Sequence, residues 1–464
     1  MKYVFCFTIS LLSITISAQT VSQKLQKAFQ QFETDEQLKH AISSLYVIDA
    51  KTGQVVFDKN SQIGLAPAST QKIITSVTAF ELLGKEYRYK TVFSMNHFNG
   101  SASRLCVLPS GDPTFGSWRF SSTKENTVFD SLINILKDKF SSYYTDITFL
   151  KQESNKDIPS GWIFEDIGNY YGAASYDLNW NENQYDFLFK PGKKAGEPAD
   201  LIRSEKDKII WKYVENNCKT GPQGSGDNAY IYFIPNQKSV TIEGTVPAGI
   251  NEFKISGADT DPMRTFSVAF ARYAKSKGVN SAEEFPVTAP ITDSLLKSIF
   301  VYGFYTHYSP SLDSIIYWLN KKSINLYAEA LVKTFAYEKQ GFGSTDSGVA
   351  IVKKFWKDKG LDDEELNMYD GSGLSPLNRV TTHAQVEILK YAKGKDWFPY
   401  FLNSLPEYNN MTMKSGTISD VKGFCGYHKA KDGKEYIFSF LVNNYSGKTS
   451  PLVGKMYKVL DVLK

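Results

Sequence analysis

Cysteine and histidine are scarce: the 464 residues include four cysteines and five histidines. The histidines, His40, His97, His307, His383 and His428, are scattered and show none of the close Cys/His spacing of a zinc site. Cys6 falls in an N-terminal apolar stretch. That leaves Cys106, Cys218 and Cys425 for the rest of the chain, enough for at most one disulfide, and the spacing does not say which two would pair. Charge of one sign is also missing. With 53 Lys+Arg against 49 Asp+Glu the net charge is only +4, and no basic run stands out, which excludes the electrostatic footprint of a nucleic-acid-binding protein. After the N-terminal stretch no segment approaches the ~18 uninterrupted apolar residues of a membrane-spanning helix. There is no fixed-period repeat and no low-complexity tract.

What is present fits a folded chain. A hydrophobic share of 42% and a charged share of 22% are ordinary for globular proteins. The length suggests two or three domains at roughly 150 residues each. An aromatic share of 14%, much of it tyrosine, suits a β-rich protein with large cores. Met1-Lys2, the apolar Val4 to Ile16 and the small pair Ser17-Ala18 have the form of a secretory signal. Residues 1–18 are therefore expected to be a cleaved signal peptide. The remainder is expected to be exported to the periplasm or cell envelope, without a transmembrane anchor after cleavage.

Ser43 to Ala50 and Gln54 to Lys59 read as strands joined by the turn Lys51-Thr52-Gly53. Ser69 to Leu83 reads as a helix: Ile73, Ile74, Val77, Phe80 and Leu83 form its apolar stripe, Pro67 marks its entry and Gly84 its end. From Tyr87 to Val287 short alternating runs such as Thr91–Met95, Tyr230–Ile234 and Ser239–Thr245 suggest a β-rich insertion. Helical periodicity returns at Thr265–Lys277, Leu312–Leu319 and Leu326–Tyr337. Two strands, Phe424–Lys429 and Tyr436–Asn443, and a helix near Leu452–Leu463 close the chain. The order predicts one α/β-type (α+β) sheet domain, residues 19–86 and 288–464, split by an inserted β-rich part, residues 87–287.

Three short elements carry chemistry. In Ser69-Thr70-Gln71-Lys72 the i, i+3 spacing brings hydroxyl and amine to one helix face. A serine becomes a nucleophile when a base takes its proton, and a lysine is such a base only when neutral. The same spacing at Ser121–Lys124, Ser294–Lys297 and Ser419–Lys422 is expected to be solvated surface. Ser323-Ile324-Asn325 leads into a helix. It reads either as an N-cap, with Glu329 near the first turn, or as a proton relay (Ser323) and an amide holder (Asn325). Another Ser-x-Asn occurs at Ser94–Asn96. Lys414-Ser415-Gly416-Thr417 puts a lysine beside a hydroxyl and a glycine on a strand, which lets a carboxylate approach the backbone. The literal Lys-Thr-Gly triplets at Lys51 and Lys219 are rivals, the first fitting a hairpin turn and the second a loop before Pro222.

The order Ser-x-x-Lys, Ser-x-Asn, Lys-Ser/Thr-Gly is that of the penicillin-recognising serine acyltransferases. Only Ser69, Ser323 and Lys414 give it in suitable contexts. Together with Pro67-Ala68, Gly111-Asp112-Pro113-Thr114, Asn320–Glu329 and Asp370-Gly371-Ser372-Gly373-Leu374-Ser375, the chain from Lys39 to Val462 resembles the class C low-molecular-mass penicillin-binding proteins, which are D-alanyl-D-alanine carboxypeptidases/endopeptidases. Ser415 stands where that family usually has threonine.

The resemblance implies a transpeptidase/β-lactamase-like domain, an antiparallel sheet flanked by helices, with the long insertion as the family hallmark. It implies Ser69 as nucleophile, Lys72 as its base and Ser323 as proton relay. Asn325 would bind the substrate amide, Lys414, Ser415 and Gly416 would serve the terminal carboxylate, and the Ser69 and Thr417 backbone N–H groups would form an oxyanion hole. No metal or cofactor is called for. Partners would be peptidoglycan stem peptides, with β-lactams as inhibitors. Asp370–Ser375 reads as structural support. Gly161–Asp166 and Tyr170–Ala173 resemble a segment that reaches over the active site, with Asp166 placed to pair with the free amine of a stem-peptide diamino acid and aromatics beside it as an apolar wall. A β-lactamase or esterase on the same fold, or a wall-binding protein without activity, are the alternative readings.

Overall fold

Alternation in Ile42–Asp49 sends Leu45 and Val47 to one side and Tyr46 and Ile48 to the other, so both faces of this strand are buried. It is an interior strand, next to the edge, of a six-stranded antiparallel sheet in a computed structural model that describes residues 19–464, apart from 99–101, 140–142, 145, 152–156, 204, 236 and 282–285. The expected signal segment, residues 1–18, lies outside the described residues. Across the sheet the strands run Glu407–Tyr408, Met411–Ile418, Val421–Lys429, Glu435–Asn443, Ile42–Asp49 and Val55–Lys59. The chain thus returns to complete a sheet begun hundreds of residues earlier.

Two cores flank the sheet. On one face Leu25, Phe29 and Phe32 of helix Val21–Glu33 and Leu452 and Met456 of helix Thr449–Leu460 pack on Val47, Phe438 and Phe440. On the other, helices Lys72–Leu83, Asn325–Gln340 and Thr382–Lys393 cover Tyr46, Ile48, Ile437 and Leu441. Helix Lys72–Leu83 is buried all round from Lys72 to Phe80, so its apolar residues show no narrow stripe.

The inserted part carries the expected strands and adds helices to them. A five-stranded sheet, Val287–Pro290, Ile147–Lys151, Ala102–Leu108, Lys90–Phe98 and Gly303–Tyr308, shares its core with helices Glu125–Lys139 and Pro262–Ser276. It is a mixed layer. Its last strand ends at Tyr308, beyond the boundary expected at residue 287, because Gly303–Tyr308 pairs with Lys90–Phe98, a contact that local pattern does not reveal. A second unit holds two small sheets around Tyr185, Phe187, Trp211, Ile231 and Ile242. Lys219–Gly221, expected as a loop, is a strand of that unit. Cys106, Cys218 and Cys425 are all buried free thiols. Among the described residues no helix is long and apolar enough to cross a membrane.

Candidate active site

Ser69 sits in a short 3₁₀ turn, Ala68–Gln71, and the α-helix starts only at Lys72. In 3₁₀ geometry residues i and i+3 eclipse, which places the Lys72 amine over the Ser69 hydroxyl more directly than the expected α-helix would. Lys72 Nζ donates to Ser69 Oγ at 2.9 Å. Ala68, immediately before, is held at φ +46°, an uncommon conformation for a residue with a Cβ.

Lys72 is fully buried, and its amine also donates to Asn325 Oδ1 at 2.6 Å and to the Ser372 carbonyl at 2.7 Å. Burial lowers its pKa to about 7, against the opposing charges of Asp370 and Glu329. The loop Asp370–Ser375 shapes that environment. Asp370 accepts from Gln71 Nε2, from the Gly373 and Ser375 backbone N–H groups and from Trp162 Nε1. Glu329 is not the charge near a cap that the N-cap reading makes of it. It is buried and accepts from the Gly371 and Ser372 N–H groups, and burial together with the Asp370 charge raises its pKa.

Ser323 is not an N-cap either. It ends the preceding helix, Leu312–Lys322, in the left-handed conformation, and Asn325 is the first residue of the next helix. The reversal between the two helices turns the Ser323 hydroxyl toward Lys414, whose Nζ donates to it at 2.9 Å and to the Ser415 carbonyl at 2.8 Å. Lys414 is buried, and its pKa is pushed well below normal, first by burial and then by the Lys72 charge. Asn325 Nδ2 donates to the Tyr171 carbonyl at 2.7 Å.

Gly416 explains why the strand Met411–Ile418 can lie against the serine. A Cβ there would stand 2.6 Å from the Pro67 carbonyl oxygen and 2.8 Å from the Ser69 nitrogen. Thr417 borders the cavity, whereas Lys414 is buried and Ser415 contributes its carbonyl to Lys414. Of the rival patterns, Lys51-Thr52-Gly53 is a hairpin turn capped by Asp49, and Ser121 and Lys124 are exposed. Ser419–Lys422 departs from expectation: Lys422 is buried, its Nζ donates to Thr417 Oγ1 at 2.8 Å, and burial lowers its pKa to about 8.

The cavity measures about 1360 Å³ and is walled by Ser69, Ser323, Asn325 and Thr417 on one side and by Asp166 and Tyr171 of the inserted part on the other. Burial raises the Asp166 pKa to about 6, and a hydrogen bond with the Tyr171 side chain opposes that rise. The Gly161–Asp166 segment is latched in place by Trp162 on Asp370 and by Ser375 Oγ donating to the Gly161 carbonyl at 2.9 Å. Of the aromatics expected beside Asp166, Phe164 faces away and stacks on Tyr232. The sequence reading takes Tyr171 only as part of an apolar wall, Lys422 as solvated surface and Glu329 as acidity near a helix start, and so misses the buried polar contacts of all three. Their signal, a polar group within a buried run, becomes readable only once the burial is known.

The family description D-Ala-D-Ala carboxypeptidase 3 (S13) matches residues 25–459. A D-alanyl-D-alanine carboxypeptidase of Actinomadura sp. (strain R39) is 24% identical over 443 residues, covering 89% of this chain and 80% of that protein. Penicillin binding protein 4 (dacB) from Haemophilus influenzae has the same fold, with a TM-score of 0.77 at 19% identity over 94% of this chain and 98% of that one. A complex of the Haemophilus protein with a β-lactam gives a TM-score of 0.71 at 20% identity, over 95% and 99% of the two chains.

Proposed function

The chain belongs to the D-Ala-D-Ala carboxypeptidase 3 (S13) family, a serine-type D-Ala-D-Ala carboxypeptidase/endopeptidase, and we propose that Ser69, Lys72 and Ser323 carry out that reaction on peptidoglycan stem peptides. Ser69 Oγ attacks the carbonyl carbon of the penultimate D-alanine while Lys72 Nζ takes its proton. The oxyanion rests on the backbone N–H groups of Ser69 and Thr417, where losing one donor typically costs ~10²–10³ in rate. The C–N bond then breaks, and Ser323 relays a proton to the leaving amine. Water hydrolyses the remaining ester. Asn325 holds the substrate amide, and Lys414 and Ser415, with the backbone at Gly416 and Thr417, receive the terminal carboxylate. Asp166 supplies a carboxylate for a free amine on the stem peptide.

One observation carries the reading: a buried lysine, its pKa lowered to about 7, donating to a serine hydroxyl at 2.9 Å on the wall of a large cavity. Export to the periplasm or cell envelope behind a cleaved residue 1–18 signal agrees with a wall substrate. The β-lactam bound by the Haemophilus relative supports β-lactams as inhibitors, since their strained amide mimics the same terminus. The test is covalent. A labelled penicillin should acylate the purified protein once, and mass spectrometry should place the adduct on the peptide containing Ser69. Intact labelling of Ser69→Ala would refute the assignment.

A further inference from the structure

The catalytic cavity has a neighbour that the reaction does not use. In the second inserted unit, strand Asn228–Phe233 pairs antiparallel with Ser239–Pro247, so Tyr230 lies opposite Glu243 and Tyr232 opposite Thr241. Ile231, Phe233, Val240 and Ile242 turn into the core, and the alternate residues form the outward face. Phe164 closes one end of that face. Its ring stacks on Tyr232 at 5.5 Å between centroids, yet Phe164 is 52% exposed and Ile234 nearby is 54% exposed. Between them lies a groove of about 370 Å³ with Gln237, Ser239, Thr241 and Glu243 along it.

We propose that this groove binds a glycan strand, a β-linked amino-sugar polymer of the wall, and presents its stem peptides to Ser69. The inference rests on the substrate reading above. The chemistry matches a sugar on both sides. Flat aromatic faces cover the apolar C–H faces of a pyranose, and hydroxyl, amide and carboxylate side chains serve sugar hydroxyls and N-acetyl groups, the mix of apolar wall and few polar groups that orients small ligands. Among the described residues no lysine or arginine lines the groove, which disfavours an anionic lipid surface or a nucleic acid.

Position selects the occupant. Phe164 borders the groove, while Glu165 and Asp166 of the same four-residue helix border the catalytic cavity. Tyr232 borders the groove, and Tyr230 of the same strand borders the cavity. The two concavities share a wall, and a stem peptide is a branch of the glycan, so a strand seated on one side directs its branch to the other.

Binding is measured by calorimetry with two probes, a tetramer of β-1,4-linked N-acetylglucosamine and a wall glycan strand enzymatically stripped of its peptides. Phe164→Ala and Tyr232→Ala should each weaken binding about tenfold, the scale of one lost aromatic contact. Glu243→Ala, a fully outward change, guards against misfolding and should weaken it severalfold. All three should acylate with penicillin at the wild-type rate and release D-alanine from a free pentapeptide normally, but release it more slowly from uncrosslinked polymeric wall. No binding of either probe by the wild type, or unchanged turnover of polymeric wall in all three variants, would overturn the proposal, as would specific capture of a protein partner at this face instead. A wild type that binds glycan yet fails to release D-alanine from free pentapeptide would refute the substrate reading and leave the groove standing.

Discussion

In the proposed mechanism Lys72 acts as a base only while it is neutral, and its burial is what allows that near neutral pH. An exposed lysine keeps its proton far above this range; here burial brings the pKa to about 7, and Asp370 and Glu329 hold it from falling further. The neutral form grows as pH rises, so the rate of penicillin acylation should climb with pH through about 7 and level off above it. Removing one of the opposing charges should lower the Lys72 pKa. In Glu329→Gln the acid limb of that profile should therefore move to lower pH, read from stopped-flow acylation rates across pH 5 to 9. The midpoint belongs to the interacting buried groups together, so the direction of the shift is the diagnostic quantity. A shift to higher pH would contradict the assigned electrostatics. Lys72→Arg keeps a charge but cannot release its proton, and should lose ~10²–10⁴ in acylation rate, the usual worth of a general base.

At the scale of elements, the approach of the Met411–Ile418 strand to the Ser69 turn depends on a missing side chain. Gly416 faces Gly423 across the ladder, and a Cβ on Gly416 would press on the Pro67 carbonyl and the Ser69 and Thr70 nitrogens at 2.6 to 2.8 Å. All three are backbone atoms that cannot swing aside. Gly416→Ala should therefore destabilise the protein by about 1–3 kcal/mol, the usual cost of overpacking. It should slow acylation more than that loss alone explains, because the same displacement widens the gap between Thr417 and Ser69. Thermal unfolding and acylation rates on the same sample separate the two effects, and a normal acylation rate in a destabilised variant would count against the proposed oxyanion hole.

The elements also show what the sequence could and could not disclose. Strands Ile42–Asp49 and Glu435–Asn443 were legible from β-branched and aromatic runs, and the three motifs were legible from their order along the chain. The 3₁₀ start at Ser69 and the left-handed Ser323 were not, because both are imposed by neighbouring elements rather than by local preference. Helix Val21–Glu33 carries a capping box at Thr20 and Gln23 and a stripe of Leu25, Phe29 and Phe32, signals that its place beside the expected signal segment obscures. Helix Glu125–Lys139 was hidden within a segment dominated by short alternating runs. Burial of Lys422 and Glu329 depends on partners about five and forty residues away, Thr417 and Gly371 among them, which no single-sequence pattern supplies.

Across the whole molecule the cavity is a joint product of two parts. The sheet domain brings Ser69, Ser323, Asn325 and Thr417, and the insertion brings Asp166 and Tyr171, held by the Trp162–Asp370 and Asn325–Tyr171 hydrogen bonds. In the proposed mechanism bond cleavage falls to the sheet domain's side of the site and substrate choice to the inserted side. If Asp166 pairs with a free amine, Asp166→Asn should cost on the order of 1–3 kcal/mol in kcat/KM for a stem peptide bearing that amine, the range for a hydrogen bond to a charged group. It should cost almost nothing for a diacetylated analogue or for penicillin. The proton equilibrium of Asp166 adds a second signature. Its pKa is raised to about 6 by burial, so the carboxylate is charged above that pH and neutral below it. The wild-type preference for the free amine over the acetylated peptide should therefore fade as pH drops through about 6, while the variant's preference stays flat. Equal losses on both peptides, at every pH, would mean that Asp166 supports the fold of the segment and that specificity lies elsewhere.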